Sequence, residues 1–187
     1  MLRDHEIRAE LKACLSNMHA SEPDTLIVDE LGICQGLVRA DIAVVNGEIS
    51  AFEIKSDADT LARLKTQIQY YSKICDRVSI VVGHRHVDAA KLLIPSWWGL
   101  WIARKQDDSV RLKQLRKGRV NNQVESYALA QLLWKEETLA LLEKYHAAKG
   151  VKSKPKKALW VRLTETIDLD TLKSEVRAIL KARTDWR

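Results

Sequence analysis

A hairpin signal at Asn46-Gly47 constrains this chain more than any other feature. Residues 39–56 read R-A-D-I-A-V-V-N-G-E-I-S-A-F-E-I-K-S, with an apolar arm on either side of the strongest short-range hairpin dipeptide. Side chains alternate between faces along a strand, so the register decides which residues meet. A two-residue Asn46-Gly47 loop would pair Asp41 with Phe52 and send Glu53 to the opposite face. An odd connection, for example three residues with Gly47 left-handed in a bulge, puts Ile42, Val44, Phe52 and Ile54 on one face and Arg39, Asp41, Glu53 and Lys55 on the other. Only the odd register lets the apolar and charged patterns agree. It is therefore expected, with the two carboxylates side by side.

The flanking sequence supplies partners for this hairpin. Ile7, Leu11, Cys14, Leu15 and Met18 fall at helical spacing over residues 4–18, with Asp4 placed to cap. Residues 25–28 read as a strand ending at Asp29-Glu30, and residues 31–36 as a turn or bulge. Asp57 or Asp59 caps a helix whose apolar face is Leu61, Leu64, Ile68, Tyr71 and Cys75. The β-branched run 77–82 follows, and an intervening helix implies a parallel crossover. A short helix over 87–94 stops at Pro95, an aromatic strand spans 97–103, and a further strand spans 109–115. Residues 126–145 read as one long Leu-rich helix, 152–157 as a polar basic linker, and Leu169 to about Arg183 as a last helix capped by Asp168. The pattern is α/β, with a core over 1–118, a basic and mainly helical extension over 119–187, and a linker at about 150–157.

Composition bounds the function. With 187 residues and 46% hydrophobic content the chain can bury a core. The start M-L-R-D-H-E has no apolar leader, and no run approaches the roughly 18 apolar residues of a spanning helix, so a cytoplasmic protein without membrane contact is expected. Cys14, Cys34 and Cys75 are scattered and too few to supply four ligands to an iron–sulfur cluster. The net charge of +6 is uneven. Residues 104–119 hold seven Lys/Arg against two Asp, and residues 150–187 ten against five, which leaves the remainder net acidic. Basic segments around an acidic core suit a polyanion, with a nucleic acid held through residues 104–119 and 152–162 as the expected partner. Trp97, Trp98 and Trp101 fit either stacking on unpaired bases or core packing. His84-Arg85-His86 lacks a third ligand type and reads as surface.

The order helix, three strands, helix, strand, with an acid on the second strand and Glu-x-Lys on the third, resembles the PD-(D/E)XK nuclease superfamily. That superfamily includes many restriction endonucleases, Holliday-junction resolvases and RecB-type exonucleases. Asp41 stands at its Asp, with Ala40 in place of the preceding Pro, and Glu53-Ile54-Lys55 matches its (D/E)-X-K. Gln67 and Tyr71, in Q-I-Q-Y-Y, are similar to the Q-x-x-x-Y element of RecB-type members. The resemblance covers residues 4–103. It implies a restriction-endonuclease-like core (α-β-β-β-α-β, a mixed central sheet flanked by helices) and a Mg²⁺- or Mn²⁺-dependent nuclease hydrolysing phosphodiester bonds in DNA by metal-activated water. Asp41, Glu53 and the Ile54 carbonyl would hold the metal, with Glu30 and then Glu6 as further ligands. Lys55 would orient the water or stabilise developing charge, Gln67 would fix the water or a phosphate, and Tyr71 would pack beneath. Alanine at Lys55 or Glu53 is expected to abolish cleavage and leave folding intact. Two rival readings use the same chain: a nucleic-acid-binding module without turnover, and a protein-interaction factor docking through the Leu-rich helix. The C-terminal helices are the expected surface for a homodimer or protein partner.

Overall fold

The computed structural model describes residues 1–107 and 109–186; Asp108, within one of the basic segments, and Arg187 lie outside the described residues. Six strands form one sheet in sequence order: β1 (Leu26–Ile33), β2 (Val38–Val45), β3 (Ile49–Lys55), β4 (Arg77–Gly83), β5 (Gly99–Gln106) and β6 (Ser109–Arg116). The pairs β1/β2, β2/β3 and β5/β6 are antiparallel, and β3/β4 and β4/β5 parallel. The parallel steps are made through α2 (Leu64–Ser72) and α3 (Val87–Leu93), as the helix between two strands requires. The protein is thus α/β, with a mixed six-stranded sheet flanked by helices. Among the described residues no helix is long and apolar enough to cross a membrane.

The hairpin connection is odd. Val45 pairs with Ile49 and Ile42 with Phe52, leaving Asn46, Gly47 and Glu48 as a three-residue loop. Gly47 is not left-handed, contrary to the bulge expected from the dipeptide. Asn46 closes the turn instead: its N–H donates to the Glu48 carbonyl and its side-chain oxygen accepts from the Glu48 N–H, both at 3.1 Å. An Asn that bonds its own backbone in this way substitutes for a special glycine conformation.

The alternation set by this loop divides the core in two. Ile42, Val44, Phe52 and Ile54 pack under α1 (Asp4–Met18), which contributes Ile7, Leu11 and Leu15. Ala43, Val45, Ile49 and Ala51 face the other helices, where Tyr71, Ile74 and Trp98 are buried. Leu11 is fully buried, so Leu11→Ala should cost about 2–5 kcal/mol by urea denaturation. A loss below about 1 kcal/mol would mean that α1 is not anchored as described.

Several local expectations are corrected. Asp4 does not cap α1; Glu6 does, accepting the Arg3 N–H at 2.8 Å. Residues 31–33 continue β1 rather than turning. The helix after β3 begins at Leu64, because Asp59 is spent closing the preceding turn onto the Ser56 N–H and hydroxyl. Trp97 and Trp98 precede β5, and Trp98 and Trp101 are buried on opposite faces of the sheet, which removes both from any base-stacking role.

The 126–145 segment is two helices, α4 (Ser126–Ala130) and α5 (Lys135–Lys144), because the Trp134 N–H is capped by the Glu137 carboxylate at 2.6 Å. Leu129, Leu132, Leu133 and Leu142 are buried in the main core, as their inward spacing predicts, and Leu141 joins them. After them come α6 (Lys156–Thr166), which begins inside the expected linker, and α7 (Leu169–Ala182), which Asp168 caps as expected. Residues beyond 118 are built onto the sheet. Asn121 donates to the Ser72 and Cys75 carbonyls, and Lys173 of α7 pairs at 2.8 Å with Asp76, whose other oxygen accepts the Ile49 N–H.

Candidate functional site

The charged face of the hairpin opens at the end of β3 into a cleft of about 460 Å³ lined by Glu30, Asp41, Glu53, Lys55 and Gln67, among others. Continuing the β2/β3 register one step past Ile42 and Phe52 sets Asp41 across from Glu53. Asp41 Oδ2 accepts the Ile54 N–H at 2.6 Å. A residue's N–H and carbonyl project to the same side of a strand, so the Ile54 carbonyl also faces β2.

Glu53 is 2% exposed and Lys55 5%. Burying a carboxylate is costly unless it is paired and hydrogen-bonded, and three donors converge on Glu53. Lys55 Nζ and Gln67 Nε2 each reach Oε1 at 2.5 Å, and the Tyr71 hydroxyl reaches Oε2 at 2.5 Å. The same hydroxyl lies 2.7 Å from the Arg39 carbonyl. Burial, then the charge on Glu53, pushes the Tyr71 phenol upward, so it stays protonated as a donor. Gln67 and Tyr71 are one helical turn apart on α2, which explains how both reach one carboxylate. The Gln67 Oε1 atom is buried and has no partner among the described residues.

Asp41 behaves differently. Its carboxyl is raised from 3.8 to about 7, first by burial and then by the negative charge of Glu53, against the lowering influence of the Ile54 N–H and Arg8. Arg8 on α1 was not singled out in the sequence, yet it organises the acids at the cleft mouth. Its Nη2 lies 3.1 Å from both Asp41 Oδ1 and Glu30 Oε1, and its Nη1 donates to the Asp41 carbonyl at 2.7 Å. That carbonyl is available because the β1/β2 ladder skips the Glu30–Asp41 position, where Glu30 adopts a left-handed φ of 56°. A left-handed Glu inside a strand is strained backbone of the kind that gathers at functional sites. The sequence signal for Arg8 was its helical phase, one turn from Asp4 and Leu11.

Asp41, Glu53, Lys55, Gln67, Tyr71, Ile54 and Glu30 are therefore brought together. Glu6 is not; its carboxylate is committed to the helix start. Among the described residues no group of three or more His, Cys, Asp or Glu side chains gathers as a metal cluster. What the cleft offers is two neighbouring carboxylates, a backbone carbonyl and an orphaned amide oxygen. This all-oxygen set suits a hard cation that keeps several waters.

The basic segments lie elsewhere on the surface. Arg104 on β5 stands opposite Arg111 on the edge strand β6, beside Lys113. Like charges facing each other are destabilising without a counter-charge. Arg116 does not contribute to this patch, since it donates to the Trp98 and Pro95 carbonyls. In the second segment Lys152 pairs with Glu143, while Lys156 opens α6 facing a further hollow.

Fold and site together define a mixed α/β protein with a buried carboxylate–lysine–amide cluster at the end of its third strand. The chain belongs to the family of bacteriophage P4 protein cII, which it matches over residues 1–186. Protein cII of Enterobacteria phage P4 is 31% identical over 145 residues, covering 78% of this chain and 54% of the relative, so the chain spans about half the length of the curated relative it matches. A solved protein of unknown function from Silicibacter pomeroyi aligns over 74% of this chain and 90% of its own, with 23% identity and a TM-score of 0.42.

Proposed function

We propose that this protein is a metal-dependent nuclease that hydrolyses phosphodiester bonds in DNA, built on a restriction-endonuclease-like core and acting in the cytoplasm. The observation that carries this reading is the meeting of Asp41 and Glu53 from neighbouring strands with Lys55 and Gln67 at one cleft. Asp41, Glu53 and the Ile54 carbonyl would hold Mg²⁺ or Mn²⁺, with Glu30 at the rim. When bound, the ion supplies a nucleophilic water and relieves charge on the phosphate. The raised Asp41 carboxyl fits such a site, because two neighbouring carboxylates lack sufficient counter-charge. Lys55 places a positive charge where negative charge develops on the phosphate. The unpartnered Gln67 Oε1 would accept a hydrogen bond from the attacking water and so orient it, while its amide N–H and the Tyr71 hydroxyl hold Glu53 in place.

One observation favours a second reading. Arg8 and Lys55 already form ion pairs with Asp41 and Glu53, which suits a nucleic-acid-binding module without turnover. Incubation of linear, circular, branched and single-stranded DNA with Mg²⁺, Mn²⁺ or EDTA separates the two. Cleavage with either metal and none in EDTA is expected, with Gln67→Ala slowing it by about 10²-fold. Intact substrates under all three conditions, alongside salt-dependent DNA binding, would replace the nuclease reading with the binding one.

A further inference from the structure

A second hollow, of about 540 Å³, continues from the cleft, with Glu30, Gly36 and Arg39 lining both. Its wall carries three indoles, Trp134, Trp160 and Trp186. The Arg183 guanidinium lies over the Trp134 ring at 4.2 Å and over the Trp186 ring at 5.0 Å. Arg183 is itself anchored, bonding both Glu137 oxygens at 2.7 and 2.6 Å and the Leu132 carbonyl at 2.7 Å. The aromatic wall is therefore preorganised rather than collapsed. Trp186 remains 37% exposed, and the buried Trp160 indole N–H has no acceptor among the described residues.

The charges at the rim are sorted. Asp29 is paired with Lys12 and Glu30 with Arg8, whereas Arg39 and Lys156 have no acidic partner among the described residues. An incoming anion thus meets two unneutralised cations beside an aromatic wall. We propose that this hollow holds an unpaired nucleobase and its phosphate, so that the nucleic acid reaching Asp41 and Glu53 is single-stranded on this side. Base faces become available to indoles only out of the duplex stack, and aromatic walls with basic flanks are the usual means of holding single strands. The volume lies within the range of nucleotide-sized ligands, roughly 300–1,000 Å³. The proposal names the substrate class for the nuclease reading and rests on it, but the binding can be measured without turnover.

The test is fluorescence anisotropy in EDTA with a labelled oligothymidine single strand and with a blunt duplex of mixed sequence. The single strand is expected to bind about ten-fold tighter. Trp186→Ala should weaken single-strand binding about ten-fold, and Trp186→Phe should retain most of it. Arg39→Ala and Lys156→Ala should each lower the salt dependence by about one phosphate contact. Equal affinity for both DNAs, or single-strand affinity unchanged in Trp186→Ala, overturns the proposal. Absence of cleavage with Mg²⁺ and Mn²⁺ while this binding pattern holds removes the nuclease reading and leaves the base site standing.

Discussion

Replacing Lys55 by Met should abolish cleavage and also cost about 3–5 kcal/mol of stability. The cost is that of leaving a buried carboxylate without its cation. Glu53 is only 2% exposed, and its remaining donors, Gln67 and Tyr71, are neutral. This revises the expectation that the Glu-x-Lys pair can be cut to Ala without consequence for folding, which would hold only at an exposed site. The double variant Lys55→Met/Glu53→Gln should recover much of the lost stability and remain inactive, because the uncompensated charge is gone and the carboxylate of the proposed metal site is not restored. Urea denaturation of both variants, with cleavage measured below the unfolding midpoint, makes the comparison. A Lys55→Met protein as stable as the parent would mean that Glu53 is solvated or protonated and that the ion pair is not what holds it.

Asp41→Asn should have the opposite sign for stability and the same sign for activity. The Asp41 carboxyl ordinarily titrates near 3.8 and is raised to about 7 in the folded chain. Between these values the folded protein keeps a proton that the unfolded chain has released, so stability falls as pH rises through this window and the penalty is complete above it. Each unit is worth about 1.4 kcal/mol, which sets the penalty on the order of a few kcal/mol. Asp41→Asn in EDTA should therefore melt higher than the parent at pH 8, converge with it near pH 3, and show a flatter profile between. Parallel profiles across that range would show that Arg8 neutralises Asp41 fully and that the two carboxylates are not in electrostatic conflict. Loss of cleavage together with raised stability would mark a site where function is held against the preference of the fold.

How much of this was legible in the sequence depends on the range of the forces involved. The register of Asp41 and Glu53 was legible because side-chain alternation is local and two independent patterns, apolar and charged, had to agree. The residues of α1 and the Asp168 cap of α7 were legible for the same reason. The break at Trp134 was not, because Leu and Ala spacing continues through it and the turn depends on Glu137 also meeting Arg183 from the far end of the chain. Glu30, at a strand end, and then Glu6, on the first helix, were both candidate ligands from the sequence. A helix-start hydrogen bond removed one and a left-handed backbone turned the other into the cleft.

The sequence by itself determined the α/β order, the odd hairpin and the side-by-side carboxylates, since each rests on contacts between residues close along the chain. Only the tertiary structure decided that Glu53 is buried among three donors, that Arg8 bridges Asp41 and Glu30, and that the C-terminal helices wall the hollow adjoining the cleft. These depend on burial and on pairings between distant segments, where the cost of an unpaired charge in a dry interior selects partners that spacing along the chain does not reveal.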